Sequence, residues 1–163
     1  MIRPVLAVAV LLIAGCSDPA SDVTKEKPAP VANVPSLQAV KVIRNHDAAQ
    51  VARGRVLYEA NCMQCHGEQA QGAVNWQKRD AQGKFPPPPL NGTGHTWHHP
   101  TKILKYTINN GTGRIGGNMP AFAGKLTDVE VEDILEFVKV KWPAPLYEAW
   151  LRNEQRSLNP VAK

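Results

Sequence analysis

Cysteine and methionine are both scarce in this chain, each occurring three times in 163 residues. A structural zinc site wants four ligands, usually from two C-x-x-C pairs, and Cys16 stands far from Cys62 and Cys65, so cysteine-based zinc chemistry is excluded. Long apolar runs are missing too: the one stretch of note, residues 5–14, is too short to span a bilayer as a stable helix. Lysines and arginines are scattered rather than clustered, which leaves no basic stripe for a nucleic acid. From residue 48 onward no pair of carboxylates, no nucleophile with its base and no phosphate-binding loop stands out, and no small-molecule substrate is expected. What remains, 43% hydrophobic and 20% charged, is one ordinary soluble domain with something extra at its N-terminus.

The decisive stretch is Cys62-Met63-Gln64-Cys65-His66, the C-x-x-C-H arrangement that attaches a c-type haem. On the first residues of a helix the two cysteines and the histidine share a face, so two thiols meet two vinyl groups while the imidazole faces the iron. A thioredoxin-like redox pair would instead follow a strand in a βαβ unit. The residues before Cys62 are helical in pattern, which speaks against that reading.

Residues 1–15 place one positive charge, Arg3, ahead of the apolar run, as a secretory signal does. Ile13-Ala14-Gly15-Cys16 then resembles the lipobox of bacterial lipoproteins, in which the signal is cut before the cysteine and the new N-terminal Cys16 carries lipid. An uncleaved anchor or an ordinary signal peptide is the alternative. The expectation is a protein anchored by lipid on the periplasmic side of a bacterial membrane. Residues 16–47, rich in Pro, Ala and Val, read as a flexible tether with a span on the order of 30 Å, and His46 within it is expected to be solvated.

Regular structure is expected from Ala48, where Ala49, Val51, Ala52, Val56, Leu57 and Tyr58 recur at helical spacing. Gly54 costs such a helix about 1 kcal/mol against Ala, so either another backbone approaches there or the glycine is accidental. Gly54-x-x-x-Tyr58-x-x-x-Cys62-x-x-Cys65-His66, then Pro88-x-Leu90-x-Gly92, Met119-Pro120 and Ile134-x-x-Phe137, together resemble a monohaem class I cytochrome c over residues 48–143. The resemblance implies an all-α fold of three main helices and long loops around one covalently bound haem c. It further implies a crossing of the first and last helices at Gly54, Tyr58, Ile134 and Phe137. It also implies His66 as proximal iron ligand, a Pro88 carbonyl accepting the His66 Nδ1 proton, and Met119 as distal ligand.

Four prolines, residues 86–89, fix φ and lack donors, so this run is expected to lay extended backbone along the haem. His95-Thr96-Trp97-His98-His99 offers a second metal site, an alternative iron ligand or contacts to the haem propionates. The reading favoured places Trp97 and His98 at the haem rim and leaves His95 and His99 on the surface. A short helix is expected from Thr101 to Asn109, and then a supple glycine-rich loop carrying Met119. Met63 lies between the attachment cysteines, which leaves Met119 as the thioether available to iron; a five-coordinate haem with a surface Met119 is the alternative.

Thr127 and Glu130 have capping-box spacing at the head of a last helix that Pro143 stops. Beyond it, residues 144–163 read as a tail in which Tyr147, Trp150 and Leu151 make a short amphipathic stretch that clasps the domain, with docking of a partner as the alternative. With both axial positions filled, the expected function is single-electron transfer in a respiratory chain, without enzymatic turnover, between membrane-bound or periplasmic redox proteins. A peroxidase-like enzyme or a small-ligand sensor, each with Met119 displaceable, are the alternatives. The net charge of +5 falls by one when Arg3 leaves with the leader, and a modestly basic surface suits an acidic partner or simple solubility.

Overall fold

The structure, a computed structural model, describes residues 44–159. The leader, the lipobox and most of the tether therefore lie outside the described residues. Five helices follow one another: α1 (Ala48–Asn61), α2 (Met63–His66), α3 (Thr101–Asn110), α4 (Asp128–Val140) and α5 (Ala144–Leu158). No strand occurs among the described residues, and the fold is all-α, as expected.

Helices α1, α3 and α4 begin where a side chain satisfies one of the free N–H groups. Asp47 caps α1, its carboxylate accepting from Gln50 N at 2.7 Å. Thr127 and Glu130 cap α4 reciprocally. The N-cap of α3 is Pro100, which has no side chain to offer; there the Glu154 carboxylate of α5 accepts from Thr101 N at 2.7 Å.

The chief packing contact is the crossing of α1 and α4. A Cβ built on Gly54 would sit 2.5 Å from the Asp133 carbonyl carbon and 3.1 Å from Phe137 Cβ, so only glycine lets the backbones approach this closely. On either side of that contact Tyr58 meets Phe137, their ring centres 5.2 Å apart, and Arg53 binds the buried Asp133 through two hydrogen bonds of 2.8 and 3.1 Å. The glycine is not accidental.

The tail past Pro143 takes the first of its two readings. Residues 144–158 form the longest helix of the described fold, started after Pro143, whose fixed φ suits a helix entrance. α5 clasps the domain through buried Trp150, set edge-on to Trp142, and through Glu154 at the head of α3. One expectation is overturned: His46 is not solvated. Its Nδ1 pairs with Glu136 of α4, Lys139 binds the other oxygen of that carboxylate at 2.6 Å, and neighbouring Arg44 donates to the Trp142 carbonyl at 2.7 Å. The folded unit thus reaches back at least to Arg44.

The apolar interior comes in two clusters. Tyr58, Ala70, Ile134, Val138, Trp142 and Trp150 make the first; Leu104, Val131 and Leu135 make the second. Between them lies a cavity lined by members of both.

Candidate haem site

The cavity has a volume of about 800 Å³, within the usual range for a small-molecule or cofactor site. Cys62, Cys65, His66, Pro88, Leu90 and Met119 all line it, so six of the eight residues singled out for the cofactor share one space. Ile134, Leu135, Val138, Leu104 and Phe122 supply an apolar wall. Among the described residues no Asp, Glu, Lys or Arg lines it.

The C-x-x-C-H turn is held from its own ends. Cys62 joins α1 to α2, and Tyr58, fully buried, donates its hydroxyl to the Gly67 carbonyl at 2.8 Å just past His66. Cys62 and Cys65 are not joined in a disulfide, and burial followed by the neighbouring Cys65 pushes the Cys62 thiol up to about 11, opposite to the shift of a reactive redox cysteine.

The proline run orients His66. Without N–H groups, Pro87, Pro88 and Pro89 offer only acceptors, and each is used: Ala73 N donates to Pro87 O at 2.8 Å, His66 Nδ1 to Pro88 O at 2.9 Å, and Thr96 Oγ1 to Pro89 O at 3.3 Å. Gly72 makes this possible, since a Cβ there would stand 2.5 Å from the Pro88 carbonyl carbon. Trp142 Nε1 secures the following residue by donating to Leu90 O at 2.7 Å. A carbonyl can only accept, so the His66 proton is on Nδ1 and Nε2 keeps its lone pair. Burial lowers the His66 pKa against the opposing Pro88 hydrogen bond, which also favours the neutral ring.

Met119 is buttoned to the end of α3 rather than carried on a supple loop. Its N–H donates to Thr112 Oγ1 and its carbonyl accepts from Thr112 N, each at 3.0 Å. Gly111, at φ 69°, leaves room for this clamp, because a Cβ there would lie 2.6 Å from the Met119 oxygen. A thioether is thereby held at a cavity that also presents an imidazole nitrogen and two thiols. The donor set and the apolar wall fit a haem attached through thioethers.

The histidine-rich stretch is arranged otherwise than expected. Trp97 and His98 do not line the cavity; His95 and His99 do. Thr96–His98 is a single 3-10 turn in which Trp97 points toward the first apolar cluster and His98 lies against the Trp97 ring, with ring centres 3.6 Å apart. Residues 95 and 99 flank this turn and come together on its other side, their ring centres 5.5 Å apart. Trp76, stacked on His95, also lines the cavity and was not anticipated: a lone aromatic in a polar loop gave no periodic signal.

Comparison with known proteins names the family. Residues 49–138 match the family described as Cytochrome C oxidase, cbb3-type, subunit III. The chain belongs to this family of c-type cytochromes. Membership brings one haem c, covalently bound, in agreement with the cavity. The chain is 34% identical over 92 residues to the cbb3-type cytochrome c oxidase subunit CcoP of Azospirillum sp. (strain B510), covering 56% of this chain and 29% of that protein. It is 33% identical over 96 residues to CcoP of Azospirillum brasilense, covering 58% and 30%. Cytochrome c6 of Cladophora glomerata is 33% identical over 94 residues, covering 56% of this chain and 89% of that protein. The chain thus spans about three-tenths of the length of the two oxidase subunits it matches. No solved structure gives a significant match. Among the described residues no helix is long and apolar enough to cross a membrane.

Proposed function

We propose that the chain is a single-electron carrier whose haem c would be attached through Cys62 and Cys65 and whose iron would be held by His66 and Met119. The observation that carries this reading is the one cavity that gathers two thiols, an imidazole with Nε2 free and a clamped thioether within an otherwise uncharged lining. Haem c, when bound, supplies one reversible one-electron couple. The residues around it do the rest. The Pro88 carbonyl fixes the His66 ring and makes it more basic, Thr112 holds Met119 at its station, and the apolar wall excludes water. With His66 and Met119 both bound to the iron, no coordination site would be left for a substrate, which favours transfer over catalysis.

The setting belongs to the same proposal. Lipid on Cys16 and a tether of roughly thirty residues hold the haem domain near the periplasmic side of a membrane, within reach of its partners. The likeness to CcoP, named as a subunit of a cbb3-type oxidase, supports a membrane-bound respiratory complex as one such partner.

Acid-acetone extraction of the purified protein tests the attachment. The haem is expected to stay with the precipitate and then to titrate as one single-electron couple; haem found in the solvent overturns attachment at Cys62 and Cys65. Rapid carbon monoxide binding by the wild type, without a sulfur-to-iron charge-transfer band, moves the reading to a haem enzyme or a small-ligand sensor. For the anchor, Cys16→Ser behind a cleavable signal is expected to leave the spectrum unaltered while slowing exchange with a membrane-bound complex. Equal rates would remove the anchor from the mechanism.

A further inference from the structure

The corner between α4 and α5 holds polar groups that the haem site does not use. Three buried side-chain nitrogens lack a hydrogen-bond partner among the described residues: Arg44 Nη2, His46 Nε2 and Trp150 Nε1. None of these residues lines the haem cavity. All three gather on one ring, that of Tyr147: the Arg44 guanidinium lies 5.1 Å from its centre, and the His46 and Trp150 rings each lie 5.3 Å away. Trp150 is only 5% exposed, and an indole N–H can only donate, so it calls for an acceptor that the protein does not supply. Two of the segments that meet here, the stretch before α1 and α5, fall outside the residues 49–138 that match the family.

The charges at this corner are not balanced. Glu136 is engaged on both oxygens, by His46 Nδ1 and by Lys139 Nζ. Arg44 gives Nη1 to the neutral Trp142 carbonyl, and among the described residues no carboxylate pairs with it. A half-buried guanidinium without a counter-charge, beside a buried N–H donor, is complementary to an anion. The third nitrogen narrows the choice. His46 Nδ1 gives its proton to the Glu136 carboxylate, so a neutral ring presents Nε2 as an acceptor. A ligand that meets all three nitrogens is then an anion that keeps an O–H: it accepts from Arg44 and Trp150 and donates to His46. Because all three nitrogens are buried, a bulky ligand such as a lipid headgroup does not fit the site.

We propose that Arg44, His46 and Trp150 form a binding site for a small acidic oxyanion of the hydrogencarbonate class. The ligand bridges the segment before α1 to α5 and so fastens both against α4. Since the unfolded chain cannot assemble the three groups, binding raises the folded-to-unfolded ratio, by about a hundredfold at a concentration a hundred times the dissociation constant. Nitrate has the shape and charge of hydrogencarbonate but no proton. It leaves His46 Nε2 unmatched and binds more weakly, by roughly tenfold for one hydrogen bond lost.

The test is a titration of the holoprotein with isotope-labelled hydrogencarbonate at mildly alkaline pH and fixed ionic strength, read from the width of the ligand's carbon resonance, with sodium nitrate as competitor. The wild type is expected to broaden the resonance saturably, and Arg44→Gln and Trp150→Phe each to weaken binding by about tenfold or more, as loss of a hydrogen bond to a charged group does. Arg156→Gln, on the exposed end of α5, is expected to bind as the wild type does. His46→Phe keeps a ring against Tyr147 but no nitrogen, and is expected to bind hydrogencarbonate and nitrate alike. Urea unfolding gives a second reading: saturating hydrogencarbonate is expected to raise the wild-type midpoint and to leave that of Arg44→Gln where it was. Should Trp150→Phe fail to fold, Arg44→Gln decides. Absence of saturable broadening, equal binding by Arg44→Gln and the wild type, or an equal loss in Arg156→Gln overturns the proposal. Nitrate that binds the wild type as tightly as hydrogencarbonate overturns it too, and so does a wild-type midpoint that hydrogencarbonate does not move, since the three nitrogens are then met by water alone.

Discussion

Replacing Gly54 by Ala puts two physical effects in opposition, and the crossing geometry fixes the sign. In an exposed helix interior the change is favourable by about 1 kcal/mol, because Ala loses less backbone freedom on folding. In α1 the new methyl meets the Asp133 carbonyl carbon at 2.5 Å, where carbon atoms rest at about 3.5–4.0 Å, so the two helices must part by roughly 1 Å. The Asp133 carbonyl carbon cannot rotate away, since it belongs to the α4 backbone, and Phe137 Cβ is fixed directly to that backbone. Parting the crossing loosens Tyr58 from Phe137 and Ile134, and overpacking of a fixed contact costs at the upper end of about 1–3 kcal/mol. The net expectation is a loss of about 2 kcal/mol, equivalent to a fall in Tm of roughly 8–10 °C for a domain of this size. Thermal unfolding of the holoprotein followed by far-ultraviolet circular dichroism measures it, with Ala49→Gly on the exposed face of α1 as a control for propensity alone. An unaltered or raised Tm in Gly54→Ala would refute the close approach.

Two further outcomes follow from the site and from the α4–α5 corner. Met119→Ala is expected to lower the reduction potential by removing the thioether ligand, and Thr112→Val to lower it less, since it removes a positioning bond worth about 1 kcal/mol while leaving the sulfur; equal potentials in all three proteins would refute Met119 as ligand. Burial alone would push the Glu136 carboxyl up, but the hydrogen bonds from Lys139 and His46 hold it below the usual carboxylate range. A folded value below the unfolded one means stability that is present above about pH 4.3 and lost as the pH falls through the folded value. Urea midpoints measured between about pH 3 and 6 are therefore expected to drop more steeply in the wild type than in Glu136→Gln.

What could be seen in the sequence, and what could not, divides by distance along the chain. Cys62, Cys65 and His66 lie within five residues, Thr127 and Glu130 within four, and Gly54 reports its neighbour by lacking a side chain, so local spacing states each of these alone. Asp47 was equally legible as a cap and was passed over. The failures involve partners far away in sequence. His46 meets Glu136 90 positions on, and Glu154 caps Thr101 across 53, and neither pairing leaves a trace in periodicity. The full length of α5 was hidden for the same reason: Tyr147, Trp150 and Leu151 suggest an amphipathic clasp, but the start shows only prolines, and what holds all fifteen residues is the Trp142 and α3 surface that they cover. The histidine stretch is the instructive case. Composition there announced a site, and the choice between His98 and His99 turned on which way one 3-10 turn faces. That direction is set by Trp97 seeking the core and by Asn153 of α5 binding the His98 carbonyl. A turn of three residues has no periodicity of its own to declare an inner face, so which histidines line the cavity depends on a helix more than fifty residues further on. The length of α5 and its bond to the His98 carbonyl are what set His95 and His99 at the cavity.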